Sequence, residues 1–176
     1  MWKFRKTGRP NGENVEGQIQ KWLWEEGFQV RKVPDGNATF RYLASKDRLP
    51  RFSIGQLSRK PDSIVVESGF SFKGFEKESL AKVFDQTENL SWDLRLQLTS
   101  KGFFYKIRPP DPHSNNPGGI FLAKTIYHDG LSKDRLLDTT FQVVNTTIFV
   151  ILTLQRHLTV STSSLSEERA NLPYIK

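Results

Sequence analysis

The chain has 176 residues, enough for one domain with a sizeable core, and its 36% hydrophobic and 26% charged residues fit an ordinary soluble protein. It contains no cysteine, which excludes disulfides, thiolate metal sites and cysteine nucleophiles. The net charge of +7 is uneven: Lys3, Arg5, Lys6 and Arg9 have no acid among them, and the 167 residues that follow carry only +3.

Residues 1–13 read as a flexible basic arm ending in the turn-like RPNGE. Val15, Ile19, Trp22 and Leu23 then fall on one face of a helix, with Asn14 placed to cap it and Gly27 to stop it. Four short strand-like runs follow, over 28–33, 39–45, 51–57 and 63–69, separated by PDGN, KDRLP and SRKPD. Their spacing of about ten residues predicts an antiparallel meander. Leu80, Val83 and Phe84 predict a helix over 75–86, and the Leu-rich 90–102 a second one ending at Lys101-Gly102. Strands are expected over 103–108 and 120–128, joined by the surface loop PPDPHSNNPGG.

Ser132 is a good N-cap for the last helix, with Leu131 and Leu136 spaced as a hydrophobic staple. From there Leu137, Phe141, Val144, Ile148, Ile151, Gln155 and Leu158 step by four and three, holding one helical face. Within it the segment TTIFVILTL is apolar almost all round, which predicts burial on two sides. Its strongest apolar run, 148–152, is far short of the roughly 20 residues a bilayer span needs. The polar residues 159–176 read as a flexible tail. The expected fold class is α+β, an antiparallel sheet with helices in the order α-β-β-β(-β)-α-α-β-β-α, spanning 14–158 as a single domain. Trp22, Phe28, Phe40, Phe52 and Ile64 are expected on its inner faces.

No catalytic motif is present. His113, His128 and His157 lie on different elements without ligand spacing, and no HExxH, P-loop, GxGxxG or GxSxG occurs. Asp35 or Asp62, together with Glu67, sketches the outline of a metal-dependent nuclease, but Gly69 stands where the accompanying Lys would be needed. The arm interleaves aromatics with cations, Trp2, Lys3, Phe4, Arg5, Lys6 and Arg9, as binders of single-stranded nucleic acid do.

Two stretches, WDLRLQLTSKG (92–102) and IYHDGLSKDRLLD (126–138) with the aliphatic helix ending TLQRHL, resemble an archaeal family of uncharacterised proteins. The element order also resembles the secretion-chaperone-like fold shared by bacterial type III secretion chaperones and YbjN-type domains. On that resemblance Trp92, Asp93, Leu94, Arg95, Tyr127, Asp129, Gly130, Leu131 and Lys133 occupy characteristic positions, with no catalytic role to carry over. The related chaperones are acidic homodimers that bind unfolded segments of clients, whereas this chain is basic.

These features lead to a cytoplasmic, non-enzymatic protein-binding domain, adaptor- or chaperone-like, without metal or cofactor and without membrane insertion. A homodimer is expected through the last helix, with Phe149, Val150, Leu152 and Leu154 at the interface. Weak nucleic-acid binding by the arm is the alternative, and a metal-dependent nuclease the third reading. Asp93 and Arg95, two residues apart, do not face each other on a helix, and Lys133 is expected to be solvated.

Overall fold

The computed structural model describes residues 12–75, 80, 88–108 and 117–157. Helix α1 spans Gly12–Glu25. It begins before Asn14, so Gly12 and Glu13 belong to it rather than to the arm. Val15, Ile19 and Leu23 are fully buried, as their spacing predicts, while Trp22 is only half-buried at the edge of the core. Gly27 adopts φ 77°, and two bonds close the helix, Gly27 N–H to the Trp24 carbonyl and Phe28 N–H to the Leu23 carbonyl.

Strands β1 (Gln29–Lys32), β2 (Ala38–Ser45), β3 (Phe52–Leu57) and β4 (Ser63–Ser71) form the antiparallel meander. Helix α2 (Glu88–Ser100) follows, and the Leu-rich segment is helical as its C-terminal signal implies. It closes with the same device as α1: Gly102 at φ 67°, with Phe103 N–H bonding to the Leu98 carbonyl. Strands β5 (Phe104–Arg108) and β6 (Gly119–Tyr127) come next, then a 3-10 turn at His128–Gly130 and helix α3 (Lys133–His157). The expected helix over 75–86 lies outside the described residues except Phe75, which ends the preceding turn, and Leu80, which is buried. The sheet order is β1-β2-β3-β4-β6-β5, every pair antiparallel.

Period-two alternation sorts the strands into two faces. Phe40, Tyr42, Ala44, Phe52, Ile54, Ile64, Val66, Ile120, Leu122 and Ile126 point inward and join α1, α2 and α3 in one buried cluster. Ser132 Oγ accepts the Arg135 N–H at 3.2 Å, capping α3 as predicted.

The buried stripe of α3 differs by one position from the one its aliphatic residues suggest. It runs through Leu136, Thr140, Val143, Thr147, Val150 and Leu154, each fully buried. The stepping of four and three is the expected one, but two of its members are threonines. Thr147 Oγ1 donates to the Val143 carbonyl at 2.9 Å, so its hydroxyl is satisfied within the helix and its methyl can face the sheet. Val150 and Leu154, expected at an outward interface, therefore belong to this chain's own core; Phe149 and Leu152 remain exposed. By length and composition α3 has an 18-residue window apolar enough to cross a membrane (mean hydropathy 1.4); 44% of that window is buried inside the domain.

Lys133 is not simply solvated. Its Nζ lies 2.9 Å from both Glu25 and Glu26, tying the start of α3 to the end of α1. These contacts raise the Lys133 pKa and lower that of Glu25.

Under α1, Tyr42 donates its hydroxyl to Glu16 Oε1 at 2.9 Å. Burial, then the neighbouring carboxylate, pushes its pKa up to about 12 from the ordinary 10. The neutral phenol is the form the fold favours, so its contribution is complete below pH 10 and is lost as pH rises through about 12. An alkaline absorbance titration of the folded protein should show a tyrosine step near pH 12 that Tyr42→Phe removes.

Candidate functional site

The buried side chains of the described helices lie against the inner face of the sheet, and among the described residues no helix covers the outer face. The strand register writes its layout. One row crosses all six strands as Arg31, Leu43, Ser53, Glu67, Ala123 and Phe104. A second row runs Gly69, Phe121, Lys106, and a third Ser71, Gly119, Arg108. Between them lies an open groove of about 610 Å³, lined chiefly by Arg41, Leu43, Ser53, Glu67, Phe104 and Phe121.

The floor is held by one polar knot. Arg41 Nη1 lies 3.1 Å from Glu67 Oε2, and Ser53 Oγ donates to the same oxygen at 3.2 Å. Arg41 Nε is 2.9 Å from Asp35 Oδ2, an ion-pair contact off the axis of a true hydrogen bond. The guanidinium of β2 thus meets β4 and the β1–β2 turn, and β3 joins through Ser53 and Glu67. Asp35 and Glu67, considered above as metal ligands, thus do converge, but on Arg41. The third candidate, Asp62, offers its backbone carbonyl to His128 N–H at 2.9 Å. Among the described residues no group of three His, Asp or Glu is placed to hold a metal ion.

Two aromatic rings stand on the open face, Phe104 at 68% and Phe121 at 48% exposure. Arg108 lies over Phe121, its Cζ 5.4 Å from the ring centroid. Gly69 sits directly beside Phe121. A Cβ there would come within 2.5 Å of the Ile120 carbonyl oxygen and 3.0 Å of the Phe121 ring. Gly69→Ala should force β4 and β6 apart locally and cost about 1–3 kcal/mol in chemical denaturation.

A smaller hollow of about 460 Å³ opens on the helix side, lined by Lys101, Phe103, Lys124, Gln142, Asn145 and Phe149, among others. Lys124 Nζ donates to Gln142 Oε1 at 2.6 Å and lies 4.6 Å from the Phe103 ring centroid. Burial lowers its pKa, Arg135 adds to that, and Asp138 opposes it.

The sequence-derived positions scatter over the molecule. Trp92, Asp93 and Arg95 are on the exposed side of α2 and Leu94 is in the core. Tyr127 is exposed at the end of β6, Asp129 and Gly130 form the exposed 3-10 turn, and Leu131 packs against the core. Trp2, Lys3, Phe4, Arg5, Lys6 and Arg9 lie outside the described residues. Phe104, Lys106, Arg108 and Phe121 were not singled out by the sequence. The signal was present in FFYKIR: alternation puts Phe103, Tyr105 and Ile107 on one side, leaving Phe104 stranded with the two cations.

The sequence profile of a family described as an uncharacterized conserved protein, DUF2299, matches residues 15–154. The chain belongs to that family. An uncharacterized protein of Methanothermobacter thermautotrophicus has a similar crystal structure, with a TM-score of 0.66 and 28% identity over 81% of this chain and 98% of that one. YbjN from E. coli shares the fold at a TM-score of 0.51 and 13% identity, over 88% of this chain and 99% of that one. A search of curated proteins found no match. This DUF2299 domain therefore has a YbjN-like α+β fold, the class expected from element order.

Proposed function

We propose that this chain is a cytoplasmic, non-catalytic binding domain that takes its ligand on the open face of the sheet. The observation that carries the reading is the pair Phe104 and Phe121, two large rings left in solvent above a groove whose floor is pinned by Arg41 and Glu67. Exposed rings grouped beside a groove mark an interaction surface more often than scattered single residues do. The two carboxylates nearest the groove are engaged by Arg41, which supports binding rather than hydrolysis. Capture from cell extract with the full chain, compared with a Phe104→Asp/Phe121→Asp variant, tests the reading. A ligand retained by the unaltered protein and lost by the variant supports it. Equal retention by both overturns it.

A second reading rests on a separate observation. Leu152 is 59% exposed and Phe149 39% exposed on the outer side of α3. Self-association through this side, with two-fold symmetry, would cover both. Sedimentation as a monomer at tens of micromolar would remove it.

A further inference from the structure

We infer that the open face binds single-stranded nucleic acid, with bases stacking on Phe104 and Phe121 and phosphates meeting Arg51, Lys106 and Arg108. The inference rests on the binding role proposed above and names its ligand class. Phe104 and Phe121 sit on adjacent strands, each opposite the neighbour two residues from the other: Phe104 pairs with Ala123, Phe121 with Lys106. Such diagonal positions are about 7–8 Å apart. That is about twice the 3.4 Å rise per nucleotide of a stacked strand, so a partly extended strand sets successive bases on the two rings. Arg108 already occupies one side of Phe121. An entering base takes that place, and the guanidinium turns to the adjoining phosphate.

The charge of the face selects among occupants. Arg31, Arg41, Arg51, Lys106 and Arg108 lie on or beside it, against Glu67 and Asp35. The two acids both contact Arg41, and Arg51, Lys106 and Arg108 have no carboxylate partner among the described residues. A second copy docked face to face would set this excess of cations against itself. An apolar helix would bury cations without counter-charge. A polyanion with flat apolar rings answers both features. Gly69 and Gly119, beside and beyond Phe121, keep the floor low where a base must lie flat. The groove offers few free groups to read base edges, because Glu67 is engaged by Arg41 and Ser53. Recognition is therefore tolerant of sequence and steeply salt-dependent.

Fluorescence anisotropy of labelled 12-nucleotide RNA and DNA strands, with the matching duplex as a third probe, tests this on the full chain. Both strands should bind more tightly than the duplex. Phe104→Ala and Phe121→Ala should each weaken binding about 5- to 100-fold, with Phe104→Tyr and Phe121→Tyr retaining it. Both rings are solvent-exposed, so circular dichroism should show all four variants folded. Lys106→Gln and Arg108→Gln should each flatten the salt dependence by about one phosphate contact. Binding that disappears on deleting residues 1–9 but survives both alanine variants overturns the inference in favour of the arm. Capture of a permanently unfolded polypeptide by the same face, with no affinity for either strand, overturns it too but leaves the binding role standing. Failure to bind any of these probes, together with equal capture by the Asp variant, removes both.

Discussion

Val150→Asp should leave the domain unfolded or close to it, while Leu152→Asp should change the stability of the folded chain by less than about 0.5 kcal/mol. The two residues are neighbours on α3 with opposite environments. Val150 has no exposed surface and Leu152 is 59% exposed. A carboxylate at 150 would be buried in the hydrophobic core cluster that Val150 shares with the inner face of the sheet. Burial of an unpaired ionised group costs several kcal/mol, and typical total stability is about 5–15 kcal/mol. At 152 the carboxylate stays in water. Circular dichroism and urea denaturation separate the outcomes, and a large loss at 152 with little at 150 would mean that the helix is rotated from the orientation described. If α3 also mediates self-association, Leu152→Asp should shift sedimentation toward monomer without changing the fold.

Phe52→Ala should cost about 3–5 kcal/mol. Its ring is 1% exposed at the start of β3 and meets Phe28 edge to face at 5.3 Å, so truncation loses both burial and a directed aromatic contact. The chemically identical change Phe104→Ala on the open face should cost less than about 0.5 kcal/mol. Urea midpoints of the pair report how much of the difference is environment alone. By the same logic Trp22→Ala, at a half-buried position, should fall below the range for a fully buried aromatic.

The order of elements was legible because the local signals agreed with one another. Gly27 and Gly102 both take positive φ at the helix ends where the sequence placed them, and the turn residues between strands fell where expected. The face of α3 was not legible from apolar spacing. A pattern of aliphatic residues counts threonine as polar, yet Thr140 and Thr147 lie inside. That requires knowing that a hydroxyl can bond back to its own helix, as Thr147 does. Lys133 was misjudged because its partners, Glu25 and Glu26, are more than a hundred residues away in sequence. The open face escaped for a similar reason. Phe104 and Phe121 become a pair only through the β5–β6 register, and the order β4-β6-β5 is set by pairing that no local pattern states.

That strand order has a consequence for the chain as it is made. The β4–β6 ladder has nine rungs, the outermost joining Ser71 to Gly119 and Ser63 to Tyr127, 48 and 64 residues apart. The hairpins from β1 to β4 need only local closure and can form as soon as they emerge. Until β6 is synthesised, β4 is a bare edge carrying the run Ile64, Val65, Val66, and its unpaired amides and carbonyls are a template for a neighbouring nascent chain. A ribosome adding about 5–20 residues per second leaves that edge open for seconds. Aggregation during synthesis should therefore be governed by the delay between β4 and β6, and slowing translation across residues 72–118 with synonymous rare codons should lower soluble yield without changing the finished fold.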